Sequence, residues 1–274
     1  MSPTPRDALP QDGRSDRPEA RSVLPAWPRL RQLLRRLRHP ARFGTLGAAR
    51  PLSGMWGFDR GTPVDRYYIE RFLSAHRAVI RGRVLEVKDS AYTRRFGAGV
   101  VESEVLDIEP SNPSATIVAD LSAADSVPGS RFDCFILTQT LQFIYDVRAA
   151  LGHAHRLLAP GGVLLATVPV VSRLAPSNGL TGEFWRFPPA ACRRLFEEVF
   201  GAGQVTLQSY GNVTSAIAFL AGAAREELRS DQLDPCDEYF PVVIGIAATR
   251  RATDGAEPSS SAQVREASGG AVSR

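Results

Sequence analysis

From Gly82 onward the sequence alternates short β-prone apolar runs with helix-length segments, and few architectures accept that order. Residues 84–87, 105–108, 117–119, 132–137 and 163–168 are rich in valine, isoleucine and leucine and read as strands. Residues 149–158 and 190–200 carry the amphipathic periodicity of helices. Strands that alternate with helices predict a mostly parallel sheet covered on both faces. Further on, residues 204–209 read as a strand, 213–228 as a helix and 242–249 as a terminal strand. There is no internal repeat. The reading is α/β: one doubly wound domain over residues 82–250, with an N-terminal helical extension.

The flanks have a different character. Residues 1–25 and 251–274 are rich in proline, serine and charge and poor in large apolar side chains, which predicts disordered tails. Residues 26–81 are read as a basic amphipathic helix followed by a cap or lid segment. Trp27, Leu30, Leu34 and Leu37 recur at helical steps, among Arg29, Arg31, Arg35, Arg36, Arg38 and Arg42, with no acid between them. Two readings of this stripe stand open: it packs on the protein's own core while the arginines stay solvated, or it meets an anionic lipid surface or a partner. No apolar run approaches the about 18 residues that span a bilayer, and acids interrupt the first 25 positions, so the chain is expected in the cytoplasm, with attachment at the inner membrane face as the second reading. Cys134, Cys192 and Cys236 lack zinc-site spacing and are expected reduced; no metal is implied.

Ligands of an open parallel sheet bind at the carboxyl ends of its strands, which directs attention to Glu86, Asp107 and Asp120 at or just after the first three strands. Asp107 follows Glu86 by 21 positions, near the interval at which a nucleotide-binding unit presents an acid to ribose hydroxyls. A carboxylate suits that role because it accepts two hydrogen bonds from neighbouring donors.

The residues continue in an order that carries a resemblance: Val84-Leu85-Glu86, Val105-Leu106-Asp107, Ala119-Asp120-Leu121, Phe132-Asp133-Cys134-Phe135-Ile136-Leu137, then Leu157-Leu158-Ala159-Pro160-Gly161-Gly162 leading into Val163 and on to Val168-Pro169. This looks like a class I methyltransferase that uses S-adenosyl-L-methionine. The resemblance implies a Rossmann-like, seven-stranded sheet, mostly parallel with an antiparallel terminal strand. It places Glu86 near the amino acid moiety of the cofactor and Asp107 on the ribose hydroxyls, with Ile108 beside it. Asp120 and Leu121 would border the adenine, and Gln139 would lie near the methyl-donor end. Pro160 and Gly161-Gly162 are expected to end a helix and turn the chain into the fifth strand.

The loop after Glu86 departs from the family. Glycines usually stand at alternate positions there so that the backbone turns tightly and approaches the ligand. This chain has Lys88, Ser90 and Tyr92 instead. Lys88 either blocks the methionine end of the cofactor or swings aside to pair with its carboxylate or with Asp89.

A narrower resemblance runs from Gly57-Phe58-Asp59-Arg60-Gly61-Thr62-Pro63-Val64-Asp65-Arg66-Tyr67-Tyr68 through Leu73, and over Tyr92-Thr93-Arg94-Arg95-Phe96-Gly97. It is similar to a type 11-like bacterial subgroup associated with glycosyltransferases and surface polysaccharide assembly. That implies a small-molecule or glycan acceptor, with a glycosyltransferase or membrane surface as the contact of residues 27–37. Tyr68, Trp185 and Arg186 are candidate acceptor-binding residues: Trp185 can stack on a sugar ring and Arg186 can bind a carboxylate or phosphate. Asp65, Tyr67 and His153 are the candidate catalytic groups. His153 and His155, two apart on a helix, make a poor metal pair.

Three functions compete. The first is methyl transfer to a hydroxyl of a saccharide or related polar metabolite. The second is a non-catalytic scaffold with a degenerate cofactor loop. The third, a nicotinamide-dependent oxidoreductase, lacks Gly-x-Gly-x-x-Gly after Glu86 and a Tyr-x-x-x-Lys pair. No nucleic-acid partner is expected, because the arginines cluster in one short segment without a recognisable binding module.

Overall fold

Seven strands form one sheet in the order β3-β2-β1-β4-β5-β7-β6. They are β1 (Gly82–Val87), β2 (Val100–Asp107), β3 (Ile117–Val118), β4 (Phe132–Thr138), β5 (Leu158–Pro169), β6 (Val205–Tyr210) and β7 (Val243–Thr249). All neighbouring pairs are parallel except those made by β7, which runs antiparallel to β5 and β6. The fold is thus the Rossmann-like α/β sheet implied by the sequence. The computed structural model describes residues 49–175 and 182–252, with Leu34 and Gly44 as isolated positions. The tails, apart from Arg251 and Ala252, and the basic stretch at 27–37, apart from Leu34, lie outside the described residues. No described helix is long and apolar enough to cross a membrane.

The chain divides into Met1–Ala48 and Ala49–Arg274, and the second unit holds the sheet. It therefore begins well before Gly82. Helix α1 (Val64–Ala75) buries Tyr68, Ile69, Phe72 and Leu73. Its Phe72 ring lies against β7 at Gly245, where a Cβ would come within 2.4 Å of the ring. The other helices are α2 (Ala91–Phe96), α3 (Val147–Leu157), α4 (Pro189–Phe200), α5 (Val213–Ala221) and α6 (Ser230–Leu233).

Both sheet faces are apolar, so alternate residues of one strand enter opposite cores. On β4, Phe135 and Leu137 join the core that holds α3 and α4, whereas Cys134 and Ile136 join the core with α1 and α5. Burial in the second core, with Glu86 and Asp133 nearby, pushes the Cys134 thiol up to about 12 and keeps it inert at neutral pH.

Three expectations change. The Pro-Gly-Gly stretch lies within β5, which already pairs at Leu158; a bulge places residues 159–162 against the single residue Asp133 of β4. Gly161 has φ +81°, and a Cβ on Gly162 would meet the Phe132 carbonyl at 2.7 Å, so both glycines serve the bulge. The helix expected over 213–228 stops at Ala221, because Gly222 (φ +78°) adopts a left-handed cap and a Cβ there would press 2.7 Å from the Ser53 carbonyl. Strand β2 begins at Val100, five residues before the expected start. Its first half is largely exposed, and Glu102, Ser103 and Glu104 separate Val100 and Val101 from the apolar run that marks the rest.

Candidate active site

The sheet reverses its strand order between β1 and β4, and their carboxyl ends open into one cavity of about 1160 Å³. Glu86, the penultimate residue of β1, is 2% exposed. Its carboxylate accepts hydrogen bonds from Tyr92 N (3.0 Å), Thr93 N (2.7 Å) and Thr93 Oγ1 (2.7 Å), and so ties β1 to the start of α2. Burial raises its pKa above the usual carboxylate range, opposed by the bonds from Thr93 and Tyr92.

Two residues on, Lys88 has φ +73°. A non-glycine residue in that conformation costs about 1–2 kcal/mol, yet the backbone keeps the course that a glycine would take. Lys88 N donates to Leu106 O (3.0 Å), and Lys88 O accepts from Asn112 Nδ2 (2.7 Å). Asp89 turns its carboxylate back onto Ala91 N (2.7 Å).

Asn112 Nδ2 also donates to Asp107 Oδ2 (2.6 Å), so one amide holds the β1 loop against the acid that ends β2. The sequence signal for Asn112 is its position before Pro113, in a turn-forming segment. Asp107 Oδ1 accepts from Glu109 N (3.1 Å). Asp120 Oδ1 accepts from Ser122 N and Ser122 Oγ, both at 2.8 Å, and caps the short helical turn that buries Leu121. At the end of β4, Gln139 has φ +47°. Gln142 Nε2 donates to its carbonyl (3.0 Å), while Gln139 Nε2 is buried with no hydrogen-bond partner among the described residues.

Glu86, Lys88, Asp107, Ile108, Asp120, Leu121 and Gln139 all line this cavity. The opposite wall carries Tyr145, which sequence reasoning missed, and Phe184, the neighbour of the candidate Trp185. Tyr145 is 72% exposed and meets Phe184 edge-on (centroids 5.4 Å apart) and Trp185 stacked (6.1 Å). Trp185 stands behind this pair, its indole Nε1 donating to Ile144 O (3.0 Å) and Tyr145 O (3.2 Å). Arg66 lines the cavity from α1 and donates to the Tyr92 hydroxyl.

Other candidates stand elsewhere. Tyr68 is fully buried, its hydroxyl donating to Leu233 O (3.0 Å). Tyr67 donates to Asp234 (2.5 Å), and Arg71 and Arg225 cover its ring, all outside the cavity. His153 lies on α3 outside the cavity, 3.9 Å from an Asp125 oxygen. Arg186 is held by Glu183 (2.7 Å) and the Arg173 carbonyl (3.0 Å), so its charge is already matched. Asp65 does not line the cavity; its Oδ1 is buried without a hydrogen-bond partner among the described residues, and burial raises its pKa. Helical periodicity alone does not say which side of α1 meets the cavity, and it is the side of Arg66 and Glu70 that does.

Residues 89–166 match the family described as Methyltransferase domain. This segment is similar to methyltransferase domains, and S-adenosylmethionine is the cofactor that the similarity implies. No curated protein matches the chain. Among solved structures it is similar to a SAM-dependent methyltransferase from Archaeoglobus fulgidus, at 13% identity over 68% of this chain and 94% of that one, with a TM-score of 0.45. It is also similar to a putative sarcosine dimethylglycine methyltransferase from Galdieria sulphuraria, at 13% identity over 69% and 91% of the two chains, with a TM-score of 0.47.

The residues present fit the cofactor. The strand-end acids share one cavity, the Lys88 backbone follows the glycine course, and Gln139 carries a buried donor that has no partner among the described residues.

Proposed function

We propose that the protein methylates a hydroxyl of a saccharide or a related polar metabolite in surface glycan assembly. The observation that carries this reading is the aromatic ledge of Tyr145 and Phe184, backed by Trp185, on the same cavity as the strand-end acids. Exposed aromatic faces bind the apolar faces of a sugar ring, whose hydroxyls then point along the cavity.

When bound, S-adenosylmethionine supplies the methyl group from its sulfonium. Each Asp107 oxygen has one local hydrogen bond and keeps acceptor capacity for ribose hydroxyls. Leu121 offers the adenine an apolar side beside Asp120. On the acceptor side, Asp146 lines the cavity; its Oδ1 caps α3 through Ala149 N (2.9 Å), which leaves Oδ2 to take the hydroxyl proton. The remainder of the rate enhancement is positioning.

Calorimetry with S-adenosylhomocysteine, followed by methyl transfer from labelled cofactor to a panel of saccharides, tests the reading. Binding with turnover on a sugar hydroxyl is expected, and no binding at millimolar ligand would sink it. A second reading, a scaffold that has lost the cofactor, is favoured by Lys88 in a glycine's place. Under that reading Lys88→Gly creates binding that the parent lacks. In either case the basic stretch at 27–37 would bring the protein to a glycosyltransferase or an anionic membrane, and co-sedimentation with anionic vesicles tests the membrane arm.

A further inference from the structure

We infer that Lys88 holds the carboxylate of the bound cofactor, with Arg66 as its second cation. This rests on the cofactor reading above. Lys88 is the only lysine among the 33 lysines and arginines of the chain. It stands at φ +73°, where glycine is the least costly residue, and such strain persists where a side chain has a use.

The cavity itself supplies the use. Its charged lining is dominated by carboxylates, and among the described residues only Arg66 and Lys88 are cationic there. A zwitterionic ligand that enters acid end first meets repulsion everywhere except beside these two. Most of the nearby carboxylates are already engaged: Glu86 with Tyr92 and Thr93, Asp89 with Ala91 N, Asp107 with Glu109 N and Asn112, and Glu70 with Arg95 at the cavity edge. Among the described residues, no hydrogen bond or ion pair reaches the Lys88 ammonium, and the residue is exposed and lines the cavity. Arg66 is anchored by the Tyr92 hydroxyl, with its guanidinium carbon 5.7 Å from that ring, and has further N–H donors to offer.

In families with glycines in this loop, backbone N–H groups approach the ligand directly. Here the Lys88 N–H is spent on Leu106 O, so the side chain takes over the contact with the anion. The ammonium is a compact charge on a flexible stem and can reach past the strained backbone to the ligand's acid end.

The test measures binding, not turnover. Parent protein, Lys88→Met, Lys88→Arg and Lys88→Gly are titrated calorimetrically with S-adenosylhomocysteine and with its decarboxylated analogue at low salt. The parent is expected to prefer the carboxylate-bearing ligand by about 10-fold or more, the scale of a charge-assisted hydrogen bond. Lys88→Met is expected to remove most of that preference, weakening S-adenosylhomocysteine about 10-fold with little change for the analogue. Lys88→Arg keeps part of it. Lys88→Gly weakens binding while raising the melting temperature, because it relieves the positive φ; a merely structural lysine would move both in one direction. The inference is overturned if Lys88→Met binds both ligands as the parent does, or loses both equally. Failure of the parent to bind either ligand removes the cofactor reading and this inference together, a result distinct from a parent that binds both with no preference.

Discussion

The two walls of the cavity are built by different means. On the β1–β3 side each acid is held by donors close in sequence: Glu86 by Tyr92 and Thr93, Asp107 by Glu109 and Asn112, Asp120 by Ser122. On the β4–β5 side the aromatic ledge exists through contacts across forty positions, where Phe184 N donates to Gln142 O (2.8 Å) and the Trp185 indole to Ile144 O. The first wall is polar and locally wired; the second joins Gln139 and Asp146 to an exposed aromatic ledge assembled from distant segments. Such a division suits a constant ligand on one side and a family-specific one on the other, because local wiring preorganises a site while an aromatic surface adapts to shape.

The separation can be broken by substitution. The largest effect is expected from Glu86→Ala, which leaves the Tyr92 and Thr93 donors buried without an acceptor and lowers unfolding free energy by about 3 kcal/mol in denaturant titrations. Glu86→Gln keeps one acceptor oxygen and should lose about half as much. If the alanine variant is as stable as the parent, the local wiring does not hold the first wall.

Next, Asp107→Ala is expected to weaken S-adenosylhomocysteine about 30-fold in calorimetry, roughly 2 kcal/mol for hydrogen bonds to a charged group, without changing the KM of the acceptor. Tyr145→Ala should do the converse: kcat/KM for the acceptor falls about 10-fold through lost stacking and desolvation, while cofactor affinity stays within error. Equal losses in both measurements for either variant would show that the walls act as one.

Asp65 lies outside both walls and serves as a control of smaller size. Its folded pKa is raised by burial, so the parent loses stability as pH rises through the ordinary carboxylate value toward the raised one. Asp65→Asn should therefore be more stable by about 1 kcal/mol at neutral pH, and the gain should vanish below about pH 4, where both states are protonated. Thermal melts across that range check the sign.

Much of the first wall was legible because its determinants are local. Strand-end acids sit where apolar runs stop, and their partners lie within a few residues, inside the window that periodicity and turn chemistry report on. The Pro-Gly-Gly stretch is expected from sequence to turn the chain from a helix into the fifth strand, and only the pairing of Phe132 with Leu158 shows that β5 has already begun. The helix expected to reach 228 ended at Gly222 because the incoming Ser53 backbone leaves no room for a Cβ, a constraint set by a segment some 170 positions away.

By itself, the sequence determined the order of strands and helices, the acids at the carboxyl ends of the first strands, and the break with the glycine pattern at Lys88. These follow from hydrophobic period and local hydrogen bonding. The tertiary structure decided which polar and aromatic side chains face the cavity. It sent Tyr67 and Tyr68 to contacts elsewhere, left His153 on the far helix, closed Arg186 on Glu183, and brought Arg66, Tyr145 and Phe184 to the cavity. The physical reason is that exposure to a shared cavity depends on how distant elements cross, and no residue's own neighbours in the chain carry that information.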